Sequence, residues 1–155
     1  MFRDKSLFIL YVLAALANIF NFAGHGGWAV SGKVAFANLI TKSLSSVFGI
    51  SMSTETALSL VKTIGWVDLT IATVITLALV GVWVGSGPLA RLARSRIMLV
   101  IFAWAIFWGL ATAFSRVTAD NFNPISILDF IERGGNYFGG AISFYLTLLL
   151  RRQDN

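Results

Sequence analysis

The chain contains no cysteine among its 155 residues. Disulfide bonds, thiolate metal sites, iron–sulfur clusters and haem attached through thioethers are therefore excluded. It also contains a single histidine, His25, so one copy of the chain supplies neither a bis-histidine haem site nor a histidine-rich metal site. A haem or pigment would have to be held through that one imidazole.

Charged residues are scarce. They make up 12% of the chain, whereas a soluble domain typically carries about 25%. The chain is 57% hydrophobic, with a mean hydropathy of +0.79, and this composition predicts a membrane protein. The net charge of +5 does not indicate nucleic-acid binding, because the basic residues flank apolar segments instead of alternating with polar and aromatic residues.

Four long apolar segments account for most of the hydrophobic residues, at about 7–23, 64–84, 97–114 and 131–150. A helix needs about 20 apolar residues to cross the roughly 30 Å of hydrocarbon in a bilayer. Backbone groups in lipid must be hydrogen-bonded within their own segment, so each segment is predicted to be a helix. The predicted fold is an all-α integral membrane four-helix bundle, formed by a single domain of residues 1–155.

Positive charges gather before the first segment, between the second and third, and after the fourth. These charges belong to Arg3, Lys5, Arg91, Arg94, Arg96, Arg151 and Arg152. Short loops and tails rich in Lys and Arg stay on the cytoplasmic side of a membrane. With four crossings, the pattern predicts both termini in the cytoplasm and the protein in a bacterial inner membrane.

The first outer loop, residues 24–63, is too long to be structureless in a compact protein. Apolar residues recur at helical spacing in its middle, at Phe36, Leu39, Ile40, Leu44, Val47 and Phe48. We expect an amphipathic helix there, on the outer membrane surface or docked on the bundle. Gly49 is predicted to end it, and Ser53 to cap a helix that runs into the second segment.

Polar residues of the apolar segments concentrate at the outer end of the predicted bundle. His25 follows the first segment, Asp68 lies near the start of the second, and Arg116 follows the third. The first turn of the fourth segment contributes Glu132, Arg133 and Asn136. Because polar groups in a membrane are costly, these six residues are candidate ligand-binding residues.

Two interpretations of this cluster remain open. In the first, the residues share an outer-leaflet pocket for a quinone or a lipid, or for a pigment or haem held by His25. In the second, they form a structural network in which Asp68 pairs with Arg133 and Arg116 pairs with Glu132. Acids in a first helical turn also favour the helix dipole without any ligand.

Two glycine pairs at a spacing of four residues predict close helix packing, within the bundle or between subunits. One pair is Gly81 and Gly85 in the second segment, and the other is Gly135 and Gly139 in the fourth. The third segment carries a ridge of Trp104 and Trp108, which we interpret as a packing surface or a stacking platform for a ring.

Three short motifs, together with the four-segment layout and the long first loop, resemble the DoxX-like family of small four-helix membrane proteins. The motifs are Gly24-His25-Gly26, Gly65-Trp66-Val67-Asp68 and Glu132-Arg133-Gly134-Gly135-Asn136. Some members of that family resemble subunits of thiosulfate:quinone oxidoreductases or of amine-utilisation systems. The resemblance implies a redox-associated accessory role.

The sequence contains no nucleophile–base pair, phosphate loop, zinc signature or dinucleotide fingerprint. The first functional hypothesis is therefore a non-catalytic accessory subunit of a larger electron-transfer complex, with membrane lipids and other membrane subunits as partners. The second is a small redox or quinone-binding membrane protein with its site in the outer polar cluster. The third is an oligomeric proton or ion carrier that uses the same carboxylates.

Overall fold

The computed structural model describes residues 4–152, and every regular element in that part of the chain is a helix. The helices are α1 (Lys5–Val30), α2 (Val34–Phe48), α3 (Thr54–Val84), α4 (Gly87–Ala93), α5 (Arg96–Ala119), α6 (Pro124–Glu132) and α7 (Gly134–Arg152). The all-α prediction is confirmed. Arg3, which belongs to the predicted positive charge near the N-terminus, lies outside the described residues.

Three of the described helices, α1, α3 and α5, are long and apolar enough to cross a membrane, and each contains an 18-residue stretch whose mean hydropathy is 2.0, 2.1 and 2.2, respectively. At 1.5 Å per residue they are roughly 36–47 Å long, more than the thickness of the hydrocarbon core. Large apolar side chains cover their outer faces; Phe20 is 71% exposed and Val100 is 68% exposed. An apolar surface of this extent indicates a membrane protein, because lipid is the solvent that would cover it.

The predicted fourth segment, 131–150, is not one helix. Helix α6 ends at Glu132, Arg133 caps it through a backbone bond to the Asp129 carbonyl, and α7 begins at Gly134. The physical reason lies in the sequence itself, since Gly134 and Gly135 are poor helix formers and a turn at this point costs little. Glu132 and Arg133 therefore lie at the end of one helix, and not in the first turn of the next as predicted.

The predicted outer loop, 24–63, is largely helical. Helix α1 continues through residues 24–27 to Val30, and α3 already begins at Thr54. Within this stretch Gly26 packs against Gly65 and Leu69 of α3, whereas Gly24 and Gly27 face open space. The amphipathic helix is confirmed as α2, ended by Gly49 in a left-handed conformation. The Ser53 cap is also confirmed, with its hydroxyl accepting the Thr56 N–H at 3.1 Å.

Helix α7 packs antiparallel beside α5 and also contacts α1. The C-terminal half of α7 contributes Leu146 and Leu150 to a core that they share with Phe102. A buried polar contact joins it to α1, where the Asn18 amide donates to the Ser143 hydroxyl at 3.1 Å. Interhelical hydrogen bonds of this kind stabilise helix association in apolar surroundings.

The glycines that bring helices together differ from the predicted ones. A Cβ on Gly26 would lie 2.9 Å from the Gly65 carbonyl oxygen, so these two residues let α1 and α3 touch backbone to backbone. Gly109 and Gly140 do the same for α5 and α7, where a Cβ on either would lie 3.0 Å from a backbone nitrogen of the other helix.

Of the two predicted glycine pairs, only Gly81 makes the close helix contact that was predicted, and the other three glycines have other roles. Gly81 packs against the Leu89 backbone of the short helix α4, and Gly85 caps α3 in a left-handed conformation at φ 77°. Gly139 makes an ordinary contact with Asn18, at 3.7 Å for an added Cβ, and Gly135 faces open space. Spacing alone did not reveal these roles, because it carries no information about which face meets which helix.

Candidate functional site

A cavity of about 840 Å³ lies between α1, α2, α3 and α5, with the end of α6 at its edge. It exists because α2 lies across both α3 and α5, which make little direct contact with each other. Apolar side chains from every one of these helices line the cavity: Ala29, Phe36, Leu44, Val61, Phe114 and Phe130. Its volume is in the upper part of the range of about 300–1,000 Å³ that is typical of ligand pockets.

Four of the six predicted site residues line this cavity. They are His25 of α1, Asp68 of α3, Arg116 of α5 and Arg133 at the junction of α6 and α7. The other two do not line it: Glu132 is exposed and Asn136 is half-buried. The structure thus brings together one polar group from each of four separate segments around a single apolar space.

Among residues 4–152, Asp68 is the only carboxylate in the cavity wall, and it is 2% exposed. It lies near the middle of α3, because that helix begins ten residues earlier than the predicted segment. The Trp108 indole lies beside the carboxyl group. Both the Trp108 nitrogen and Oδ1 of Asp68 are buried without a partner. A buried carboxyl group left in this way is costly.

Arg116 and Arg133 form the positive end of the cavity. They are close enough to each other and to His25 for their charges to interact. Nε of Arg133 is buried without a hydrogen-bond partner. Asp129 and Glu132 exert a weaker attraction on Arg116 from outside the cavity wall.

His25 joins the cavity to a smaller neighbouring one. Its imidazole stacks on the Phe36 ring of α2, with 5.7 Å between centroids and 3° between planes. The second cavity, of about 330 Å³, shares His25, Phe36 and Arg116 with the first and adds Lys33. Lys33 itself lies over the Trp28 ring, at 4.1 Å from the centroid. Positive side chains therefore surround the His25 end of the site.

The predicted structural ion pairs do not form. Among residues 4–152, no salt bridge or hydrogen bond joins Asp68 to Arg133 or Arg116 to Glu132. The same part of the chain contains no group of three His, Asp or Glu side chains that could hold a metal ion. The polar residues of the cavity are consequently left facing its interior.

Trp108 is the site residue whose role the sequence did not reveal. The ridge of Trp104 and Trp108 is present, with the two rings stacked at 5.7 Å between centroids. Its proximity to Asp68 depends on how α3 and α5 are positioned by α2, which no spacing within one helix predicts.

Comparisons of the chain with protein-family models, with curated proteins and with solved structures find no match.

Proposed function

We propose that this chain is a membrane protein whose cavity binds a long-chain amphipathic ligand of the quinone or lipid class. The observation that carries the proposal is the apolar cavity of about 840 Å³, with the ionisable side chains of Asp68, Arg116 and Arg133 in its wall. Ligand pockets typically combine an apolar lining with a few polar groups that fix orientation. A ligand of this class is dissolved in the surrounding lipid and has both a polar head and an apolar body.

The distances of the polar residues from the ends of their helices support this proposal. His25 lies 20 residues after the start of α1, and Arg116 lies 20 residues after the start of α5. Both are therefore about 30 Å from the inner ends of their helices, which is the thickness of the hydrocarbon core. Asp68 lies 16 residues before the end of α3, about 24 Å from that side. A head group at the membrane boundary and a chain directed inward would match this arrangement.

The proposal includes the topology. We infer that α7 is a fourth crossing beside α1, α3 and α5, with both termini on the cytoplasmic side of a bacterial inner membrane. The basic residues of α4 and the end of α7 support this orientation, since Arg91, Arg151 and Arg152 would all lie on the cytoplasmic side. The cavity would then open in the outer half of the bilayer.

Accessory-subunit function, as the DoxX-like resemblance implies, is compatible with ligand binding and is our second candidate. The surface of α6 favours it. Ile125, Leu128 and Ile131 follow one another at a spacing of three residues and are 71%, 64% and 64% exposed. Such a stripe beside the cavity is suited to contact with another subunit of an electron-transfer complex. The carrier hypothesis has less support, because among the described residues Asp68 is the only carboxylate in the cavity wall, and the carrier hypothesis needs carboxylates.

Filling the cavity tests the proposal. Ala111 of α5 lines it, whereas Ala103 of the same helix is exposed on the outer face. We expect the purified wild-type protein and Ala103→Phe to retain one long-chain molecule per chain in native mass spectrometry. Ala111→Phe should retain less than about a tenth as much, because the ring occupies the ligand's volume. Equal retention by the two variants would contradict ligand binding in this cavity.

A further inference from the structure

We propose that the head group of the ligand is an anion, a carboxylate or a phosphate, carried on a single long chain and held by Arg116 and Arg133. This inference rests on the proposed function, because it assigns the chemistry of the molecule that occupies the same cavity. It goes further by separating an anionic amphiphile from an uncharged ligand such as a quinone.

The two arginines lack an acidic partner within the site. Arg116 comes from α5 and Arg133 from the junction of α6 and α7, and both reach the cavity wall. Each repels the other, and Arg133 acts on His25 as well. Neither is paired with Asp68, whose charge is not among those that act on Arg116. An anion between the two guanidinium groups would remove this repulsion.

The hydrogen-bonding capacity of the arginines is also unused. A guanidinium group has five N–H donors in a planar fork, which matches the oxygens of a carboxylate or phosphate in a bidentate geometry. Nε of Arg133 is buried with no acceptor from the chain. Such charge-assisted bonds are roughly twice as strong as bonds between neutral groups. A quinone carbonyl would supply one neutral acceptor and no negative charge to offset the repulsion between the two arginines.

The remainder of the cavity accommodates the chain of the ligand. Its wall is built from aromatic and aliphatic side chains of α2, α3 and α5, and Phe107 and Leu110 lie nine and six residues before Arg116 on α5, toward the start of that helix. Asp68 lies deeper in the same wall and would repel an anionic head placed there. The head therefore stays at the arginine end, and the orientation of the ligand is fixed with its chain toward Asp68.

The head group can be tested by measuring equilibrium binding of a set of probes to the purified full chain. All charged and neutral chain probes carry the same eighteen-carbon chain, which is roughly the length of a membrane lipid chain. The probes are the carboxylate, the monophosphate, the alcohol and the primary amine, each measured at pH 8, together with an uncharged long-chain quinone. We expect at least one anion to bind about tenfold or more tightly than the alcohol, the amine and the quinone. Whether the carboxylate or the phosphate binds more tightly identifies the source of the ligand.

Matched variants assign the effect to the arginines. Arg116→Gln and Arg133→Gln should each weaken binding of the preferred anion about tenfold and leave the alcohol unchanged. Arg91→Gln, an exposed residue at the opposite end of the bundle, should bind all probes as the wild type does. Unchanged alcohol binding also shows that each variant is folded, and Arg133→Lys should recover part of the anion affinity.

The outcomes separate this inference from the proposed function. If the alcohol or quinone binds as tightly as the anions, or if the glutamine variants keep full anion affinity, the anionic head group is wrong while the ligand pocket stands. If no probe binds to the wild type, both proposals fail.

Discussion

The sequence identified Asp68 as a candidate site residue but did not predict which side chains surround it. An acid inside an apolar segment is conspicuous, and the same reasoning selected His25, Arg116 and Arg133, which all reach the cavity. The prediction that Asp68 would pair with Arg133 was wrong, because the carboxyl group lies beside Trp108 without an ionic partner. Pairing depends on distances between helices, and the sequence of one helix does not contain them.

The lack of an ionic partner predicts that the charge of Asp68 contributes nothing to stability. Breaking a buried ion pair typically costs about 3–5 kcal/mol, since it leaves the other charge unpaired. We expect Asp68→Asn to melt at the same temperature as the wild type or higher in a thermal unfolding scan in detergent, because it replaces a costly buried carboxyl group by a neutral isostere. A drop comparable to the loss of a buried ion pair would mean that Asp68 is paired after all.

At the scale of the helix, the sequence predicts existence well and boundaries poorly. The amphipathic helix α2 and the Ser53 cap were predicted from spacing and from capping chemistry. The continuation of α1 past Gly24 and the break at Arg133 were not predicted. In the first case the contact of Gly26 with α3 opposes the low helix propensity of glycine, and in the second the low propensity of Gly134 and Gly135 favours the break.

Two adjacent glycines of α1 provide a matched test of this packing. A Cβ on Gly26 would meet the Gly65 backbone at 2.9 Å, whereas Gly27 faces open space. We expect Gly26→Ala to destabilise the protein by about 1–3 kcal/mol, because backbone atoms have to move apart. Gly27→Ala should be neutral or stabilise it by up to about 1 kcal/mol, since alanine is the better helix former. Thermal unfolding of both variants measures the difference, and equal effects would contradict the close contact of α1 and α3.

At the scale of the whole molecule, composition and charge predicted more than packing patterns did. Scarce charge and long apolar runs indicated a membrane protein, and three described helices are long and apolar enough to cross a bilayer. Of the predicted glycines only Gly81 makes a close helix contact, with α4, whereas Gly26 and Gly65 join α1 to α3, and Gly109 and Gly140 each pack against the backbone of the facing helix in the α5–α7 contact. Hydropathy is a property of each segment, whereas helix contacts are a property of pairs of faces.

The central claim is that four helices cross the membrane and that the arginine end of the cavity lies on the side opposite the termini. Because the chain has no cysteine, single cysteines can be introduced without a background. Suitable exposed positions are Ser6, Ser45, Ser86, Asn121 and Arg152. Ser45 and Asn121 flank the cavity in α2 and in the connection before α6, whereas the other three lie at the opposite ends of their helices.

The most direct test is to label these cysteines with a membrane-impermeant maleimide in cells whose inner membrane is intact. We predict that Ser45→Cys and Asn121→Cys react from outside, and that Ser6→Cys, Ser86→Cys and Arg152→Cys react only after permeabilisation. If Arg152→Cys reacts before permeabilisation, as Asn121→Cys does, α7 does not cross the membrane. If Ser86→Cys reacts before permeabilisation, as Ser45→Cys does, α3 does not cross it. Either result would contradict the account.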